Sequence, residues 1–204
     1  MGSLSSVQSA ILVGSLLGDG TLRRQGNRKN ALFEVNHSHK QKEYVDWKWQ
    51  HFHKYILTQP KARKSNGFRI AYRFTTQSLP IFTEYYRWFY SNGKGKEIPT
   101  NLKLNKLSLA VWFMDDGSMS YSSFYLNTQQ FSLSEQEFLI KLLLKTFGLN
   151  SALNRDKKYF RLRINNESSK LMKKIIEPYV IPSLRYKLGY DPVTTELKNE
   201  ISVR

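Results

Sequence analysis

Two stretches of the chain are almost wholly apolar and end in the same way. Leu12-Val13-Gly14-Ser15-Leu16-Leu17-Gly18-Asp19-Gly20 and Leu109-Ala110-Val111-Trp112-Phe113-Met114-Asp115-Asp116-Gly117 each run out into Asp-Gly, about half a chain apart. A segment apolar on every side predicts a buried helix, and the glycine at its end is the residue best suited to a helix stop. Ser5 followed by Gln8 supplies a capping box for the first of them. The segments after each run also match. After the first, residues 33–35 predict a strand, 44–57 an aromatic-rich helix, 68–76 an alternating strand and 79–90 a helix. After the second, 124–131 predict a strand, 135–147 a helix, 159–165 a strand and 168–179 a helix. Both halves therefore read helix, strands, helix, strands, helix, an α+β pattern. The stretch 91–105, where Gly93, Gly95 and Pro99 break the periodicity, is the expected joint, dividing the chain into residues 4–100 and 101–204.

The alternation within strands separates charge from core. In 69–75, Arg69, Ala71, Arg73 and Thr75 share one face, and Ile70, Tyr72 and Phe74 the other; in 159–165, Arg161, Arg163 and Asn165 oppose Phe160, Leu162 and Ile164. Lys61, Arg63 and Lys64 precede one strand, and Arg155, Lys157 and Lys158 the other, at corresponding hairpins. One charged strand face is ordinarily a solvated surface. Two matched faces mean more in a chain with 32 Lys and Arg against 16 Asp and Glu, a formal charge of +16. A folded chain this basic calls for a polyanion, and phosphate and base contact is the resulting expectation. The remaining composition narrows the field. With no cysteine, disulfide scaffolds, iron–sulfur clusters, cysteine nucleophiles and cysteine-ligated zinc are excluded. No apolar run approaches the roughly 20 residues of a spanning helix, so no membrane partner is expected. The opening residues read as neither a signal peptide nor a transit segment. Heavy use of Lys, Asn, Tyr, Phe and Ile fits an AT-rich genome such as an organelle's.

The chemistry concentrates where the apolar runs end. A helix C-terminus carries about half a negative charge, so a carboxylate there is electrostatically misplaced, yet Asp19 and Asp116 both occupy it. If the two helices pack together their carboxylates converge, and a divalent cation relieves the conflict. Oxygen ligands without sulfur point to Mg²⁺ or a similar hard ion. Asp-Gly alone is an ordinary turn dipeptide; two copies with the same apolar lead-in favour function. Gly14 and Gly18, four apart, would let another helix approach closely. The histidines form His37/His39 and His51/His53 pairs. Lacking a carboxylate or cysteine at ligand spacing, they are read as phosphate, base or surface residues rather than as a zinc site.

These residues resemble the two motif copies of single-chain LAGLIDADG homing endonucleases, and Trp112-Phe113-Met114-Asp115-Asp116-Gly117 is similar to the organellar, intron-encoded branch. The resemblance continues through Asn127-Thr128-Gln129-Gln130-Phe131-Ser132, Phe147-Gly148-Leu149-Asn150, and Glu177-Pro178-Tyr179-Val180-Ile181-Pro182 to Tyr186-Lys187-Leu188, covering roughly residues 7–190. It implies two pseudo-symmetric αββαββα lobes whose antiparallel sheets form a DNA-binding saddle. It implies metal binding by Asp19 and Asp116, with the main-chain carbonyls of Gly18 and Asp115 as secondary ligands, and catalytic lysines at Lys96 and Lys187. Gln129 is implied as a further contact near the scissile bonds. The implied reaction is hydrolysis of both strands of a long non-palindromic duplex, leaving short 3′ overhangs. Mg²⁺ is the implied cofactor, Mn²⁺ able to replace it and Ca²⁺ supporting binding without cleavage. The implied protein is a monomer acting in an organelle, the mitochondrion before the chloroplast. The same family contains intron maturases, so a non-catalytic splicing cofactor bound to intron RNA is the alternative. The second motif departs from the general pattern: Val111 and Asp115 stand where small residues are usual, so the helix interface should be asymmetric.

Overall fold

The computed structural model describes residues 3–64, 69–93 and 95–189. Phe68 at the expected start of a strand, Lys94 in the joint and residues 190–204 of the second half lie outside them. The elements run α1 (Ser6–Leu17), β1 (Thr21–Arg24), β2 (Ala31–Ser38), α2 (Lys42–Phe52), β3 (Lys61–Lys64), β4 (Ile70–Thr75) and α3 (Pro80–Phe89), then α4 (Lys106–Asp116), β5 (Gly117–Ser120), β6 (Ser123–Leu126), α5 (Leu133–Phe147), β7 (Ser151–Asp156), β8 (Tyr159–Ile164) and α6 (Asn166–Ile176). Each half is thus αββαββα. The two four-stranded sheets are antiparallel with the same order, β1-β2-β4-β3 and β5-β6-β8-β7.

The helices start where local chemistry tells them to. Capping boxes close α1 (Ser5 with Gln8), α4 (Asn105 with Ser108) and α5 (Ser132 with Glu135), and α5 stops at Gly148 in the left-handed region, φ 69°. α1 and α4 are buried along almost their whole length, from Ala10 to Leu17 and from Ser108 to Asp115. They are buried against each other. A methyl group on Gly14 would stand 2.5 Å from the Ser108 carbonyl oxygen and 2.7 Å from Val111 Cβ, and one on Gly18 would collide with Asp115 Cβ. The glycines of the first motif therefore receive the two bulky positions of the second, the asymmetry its departures imply. The sheets and outer helices wrap one continuous apolar core around this pair, from Phe33, Phe52 and Phe82 in the first half to Phe124, Leu139 and Ile164 in the second.

Several boundaries differ from the pattern. The strand expected over 124–131 ends at Leu126, because Asn127 N–H turns to donate to the Asp116 carbonyl (3.1 Å) and Phe131 N–H closes a turn on Thr128 (2.9 Å). The helices expected over 44–57 and 168–179 stop at Phe52 and Ile176, each passing into one 3₁₀ turn, the second carrying Pro178. Residues 61–64 are not a prelude to a strand but the edge strand β3. Ile70, expected in the core, is 47% exposed, because it lies opposite Lys64 of that edge strand, beyond the end of β2. The connections also differ between halves. β1 and β2 are joined by the six residues 25–30, whereas β5–β6 and β7–β8 close in two residues each, Tyr121 and Lys157 taking positive φ (53° and 56°).

Replacing Gly14 with Ala is expected to cost about 1–3 kcal/mol through overpacking against Ser108 and Val111, read as a lower unfolding midpoint in urea with an unchanged slope.

Candidate functional site

Because α1 and α4 lie side by side, their C-termini open on one spot. Asp19 follows the end of α1 and Asp116 is the last residue of α4. Around them is a cleft of about 500 Å³ lined by Gly18, Asp19, Thr21, Tyr90, Lys96, Asp116, Asn127, Gln129 and Gln130. Two lysines reach the same place from equivalent segments, one after α3 and one after α6. Lys96 Nζ donates to the carbonyls of Gly18 (2.6 Å) and Gly20 (3.1 Å); Lys187 Nζ donates to those of Met114 (2.6 Å) and Asp115 (3.2 Å). Gln129 is tied by its amide to Asp156 Oδ2 (2.8 Å) at the end of β7. The structure thus brings Asp19, Asp116, Gly18, Lys96 and Gln129 into one cleft, with Lys187 on the motif carbonyls behind it.

The electrostatics are those of carboxylates crowded together and partly buried. Asp116 is raised to about 7, by burial first and then by Asp19 and Asp115; Asp19 is raised too, by burial and then Asp115. Burial lowers Lys96 to about 8 against the pull of the three aspartates, and lowers Lys187. Two carboxylates short of counter-charge, next to main-chain carbonyl oxygens, form a hard-oxygen donor set that suits a divalent cation of the Mg²⁺, Mn²⁺ or Ca²⁺ kind. Among the described residues no group of three or more His, Asp and Glu is arranged to hold a metal. The histidine pairs are split: His39 packs on Tyr72, His51 on Trp47, and His53 bonds to the Gln50 carbonyl.

The Asp115 side chain turns away from the cleft. Its Oδ1 accepts from Lys48 Nζ at 2.7 Å, both side chains fully buried, and Lys48 lies 4.4 Å from the centre of the Tyr44 ring. The Tyr44 hydroxyl donates to the Val111 carbonyl (3.3 Å). His37, buried beside them, stands with Nδ1 3.5 Å from Asp19 Oδ2 and Nε2 3.6 Å from Asp115 Oδ1. Burial pushes Lys48 down against the pull of Asp115, and His37 down to about 4, which leaves its ring neutral at pH 7. Lys48 was missed from the sequence. Its signal was present: Tyr44, Val45, Lys48 and Phe52 form one helical stripe, and a lone ammonium there requires a buried partner.

The basic strands continue outward from the cleft. Thr21, in the cleft, lies opposite Glu34 and so shares a face with Asn36, Arg73, Lys61 and Arg63. On that face Glu34 bridges Arg23 (2.7 Å) and Arg73 (3.6 Å). In the second half Arg161 lies 4.3 Å from the Tyr125 ring centre, and Arg163 donates to Ser123 and Asn166 (both 3.2 Å). Lys61, Arg63 and Arg69 are exposed, as are Lys157 and Lys158 in the β7–β8 turn. Arg73, Arg161 and Arg163 are thus engaged by neighbours on the sheets, while Arg63, Arg69 and the lysines are exposed.

Residues 9–172 match the profile of the LAGLIDADG DNA endonuclease family. The chain belongs to that family. It is 32% identical over 203 residues to the probable intron-encoded endonuclease 1 of Wickerhamomyces canadensis, covering 93% of this chain and 87% of that one. It is 29% identical to the cytochrome b mRNA maturase bI2 of Saccharomyces cerevisiae, spanning 93% of this chain but only 49% of the maturase. Among solved structures, the homing endonuclease I-WcaI bound to its DNA recognition sequence superposes with a TM-score of 0.86 at 28% identity, covering 94% of this chain and 89% of that one. I-SmaMI bound to uncleaved DNA with calcium ions shares the fold, with a TM-score of 0.57 at 15% identity. The LAGLIDADG fold read from the sequence is therefore the observed one, with the paired motif helices at its centre.

Two outcomes are expected. Lys48→Met leaves Asp115 buried without its ammonium and should cost roughly 3–5 kcal/mol, most of it restored by Asp115→Leu in the same chain, read by urea unfolding of a double-mutant cycle. For Asp116, a folded value raised to about 7 means that its contribution to stability is complete below pH 4 and lost as the pH rises through 7. Metal-free Asp116→Asn should therefore melt above wild type at pH 8, by about 2–4 °C for each kcal/mol of that loss, the gap closing as the pH falls toward 4.

Proposed function

We propose that the protein is a sequence-specific endonuclease that hydrolyses both strands of a long, non-palindromic DNA site with a divalent metal, Mg²⁺ first and Mn²⁺ in its place, leaving short 3′ overhangs. The observation that carries the reading is the convergence of Asp19 and Asp116, with Lys96 and Lys187 beside them, at the centre of a basic sheet surface. Relatives were solved on DNA, some with manganese or calcium, which supports both the substrate and the class of ion. The chain, divided near residue 100 into two unequal lobes, would bind as a monomer, each lobe meeting different bases. The organelle whose intron encodes it, the mitochondrion before the chloroplast, is the proposed site of action.

In this mechanism Asp19 and Asp116 would hold the cation through their carboxylates, with the carbonyls of Gly18 and Asp115 as further oxygen ligands. When bound, the cation supplies an activated water and offsets charge on the phosphate and leaving oxygen. Lys96 and Lys187, released from those carbonyls, neutralise phosphate charge on either side, and Lys96, near 8, can carry a proton at its Nζ. Gln129 offers an amide to the scissile region while Asp156 fixes its direction. Arg69, Arg73, Lys61 and Arg63 in one half, with Arg161, Arg163, Lys157 and Lys158 in the other, meet phosphates and base edges.

A maturase role rests on the likeness to the bI2 maturases, of which the yeast protein is about twice as long as the matched region. A splicing cofactor that only bound intron RNA would have no use for two destabilised carboxylates, and both are retained here. The deciding experiment pairs a gel shift in Ca²⁺ with supercoiled-plasmid cleavage in Mg²⁺, on a site recovered by sequencing cut ends from a DNA library. Asp19→Asn with Asp116→Asn should bind that site as wild type does and lose at least ~10²-fold in nicking and cutting. Full linearisation by the double variant would remove both aspartates from the mechanism.

A further inference from the structure

The two halves of the carboxylate centre are built differently, and the difference is His37. It lies near the end of β2 opposite Tyr72, its side chain 2% exposed, with the Tyr44 ring 5.3 Å away. Its imidazole sits between a carboxylate from each motif: Nδ1 faces Asp19 Oδ2 at 3.5 Å and Nε2 faces Asp115 Oδ1 at 3.6 Å. These contacts are not equal. Asp115 Oδ1 already accepts from Lys48 at 2.7 Å, so that oxygen has its counter-charge and its donor. A neutral imidazole carries one N–H; the Asp115 oxygen it faces is already served by Lys48, although Oδ2 of that carboxylate has no partner, and the oxygen facing Nδ1 is that of Asp19, half exposed at the cleft. Nε2 has no hydrogen-bond partner, and the ring also bonds to the Gln41 side chain, so a proton at Nδ1 lies between that amide and Asp19.

The second half lacks this device. Thr21 lies opposite Glu34, and Ser118, in the same place two residues after its motif aspartate, lies opposite Tyr125. Counting on by the same three residues, along β2 in one half and past the end of β6 in the other, the counterpart of His37 is Thr128. Thr128 is buried, but its hydroxyl donates to Gln136 Oε1 at 2.8 Å. Asp19 thus has a ring beside it, and the residue at the matching count in the second half has its hydroxyl engaged with Gln136.

We propose that His37 is a positioning residue for Asp19: its Nδ1–H holds Oδ2 and leaves Oδ1 turned to the cation, so the two strands of the duplex are served by unequal carboxylates. A contact of 3.5 Å in the free protein shortens when the other oxygen is drawn to a cation, and such outer partners are worth 10–100-fold, on the order of their usual effect on metal affinity. The inference rests on reading Asp19 as a metal ligand.

Three substitutions test it in the full chain. His37→Asn keeps an amide donor at the Nδ1 position, His37→Gln places it at the Nε2 position, and His37→Leu keeps apolar bulk with no donor. Two readouts are used: binding of Mn²⁺ alone, tracked by the paramagnetic resonance of the free ion, and strand-resolved cleavage of an end-labelled duplex. His37→Leu and His37→Gln should weaken one Mn²⁺ site about tenfold and slow one strand about tenfold, with the other strand unchanged. His37→Asn should stay close to wild type in both. A ring that merely filled the core would give the reverse order, Leu tolerated and Asn damaging, and that order overturns the proposal. Wild-type affinity for Mn²⁺ in His37→Leu overturns it as well, as does the absence of Mn²⁺ uptake by wild type. A wild type that binds Mn²⁺, shows the expected order and cuts no DNA would sink the endonuclease reading while leaving the role of His37 standing.

Discussion

The closeness of α1 and α4 is the constraint that governs the whole molecule. Their backbones come this close because Gly14 and Gly18 present bare backbone to Val111 and Asp115, where any Cβ would collide. That contact fixes the distance between the halves, sets both Asp-Gly ends on one cleft, and anchors each sheet by the strand that leaves its motif. β1 begins two residues after Asp19 and β5 directly after Asp116. The surface that would meet a substrate is therefore an extension of the helix interface, and any change in that interface reaches the strands and the carboxylates together.

The packing gathers negative charge at a place already negative from two helix ends. The molecule answers in three ways. Burial raises Asp116 and Asp19, storing electrostatic conflict that a cation can relieve. Lys96 and Lys187 place their ammoniums on the last carbonyls of the motifs, where cations are favoured. Asp115, the additional acid of the second motif, is withdrawn into the core and neutralised by Lys48. The first two responses remain exchangeable at the cleft, and the third is permanent.

Much of this was legible in the residues. The apolar runs ending in Asp-Gly marked both central helices, and the small residues of one against the bulk of the other foretold their asymmetric contact. Alternation separated Arg73, Arg161 and Arg163 from the core residues beside them. What escaped had physical reasons. The strand Thr21–Arg24 and the edge strand Lys61–Lys64 are too short and polar for alternation to show, and Ile70 was assigned to the core because periodicity cannot tell that a strand overruns its neighbour. Lys48 carries a charge that in most helices is solvated, although its helical stripe with Tyr44, Val45 and Phe52 places it inside. His37 reads as a phosphate, base or surface residue but is buried, since nothing in one strand reveals that two distant carboxylates close around it.

The ion pair of Lys48 and Asp115 joins α2 of the first half to α4 of the second, across the helix interface. A hybrid assembled from the first half of this protein and the second half of a relative would have to bring the acid that matches Lys48, or bury an ammonium with nothing to answer it. The pair acts as a compatibility lock between the halves, so successful recombination of such chains must either keep both residues or discard both.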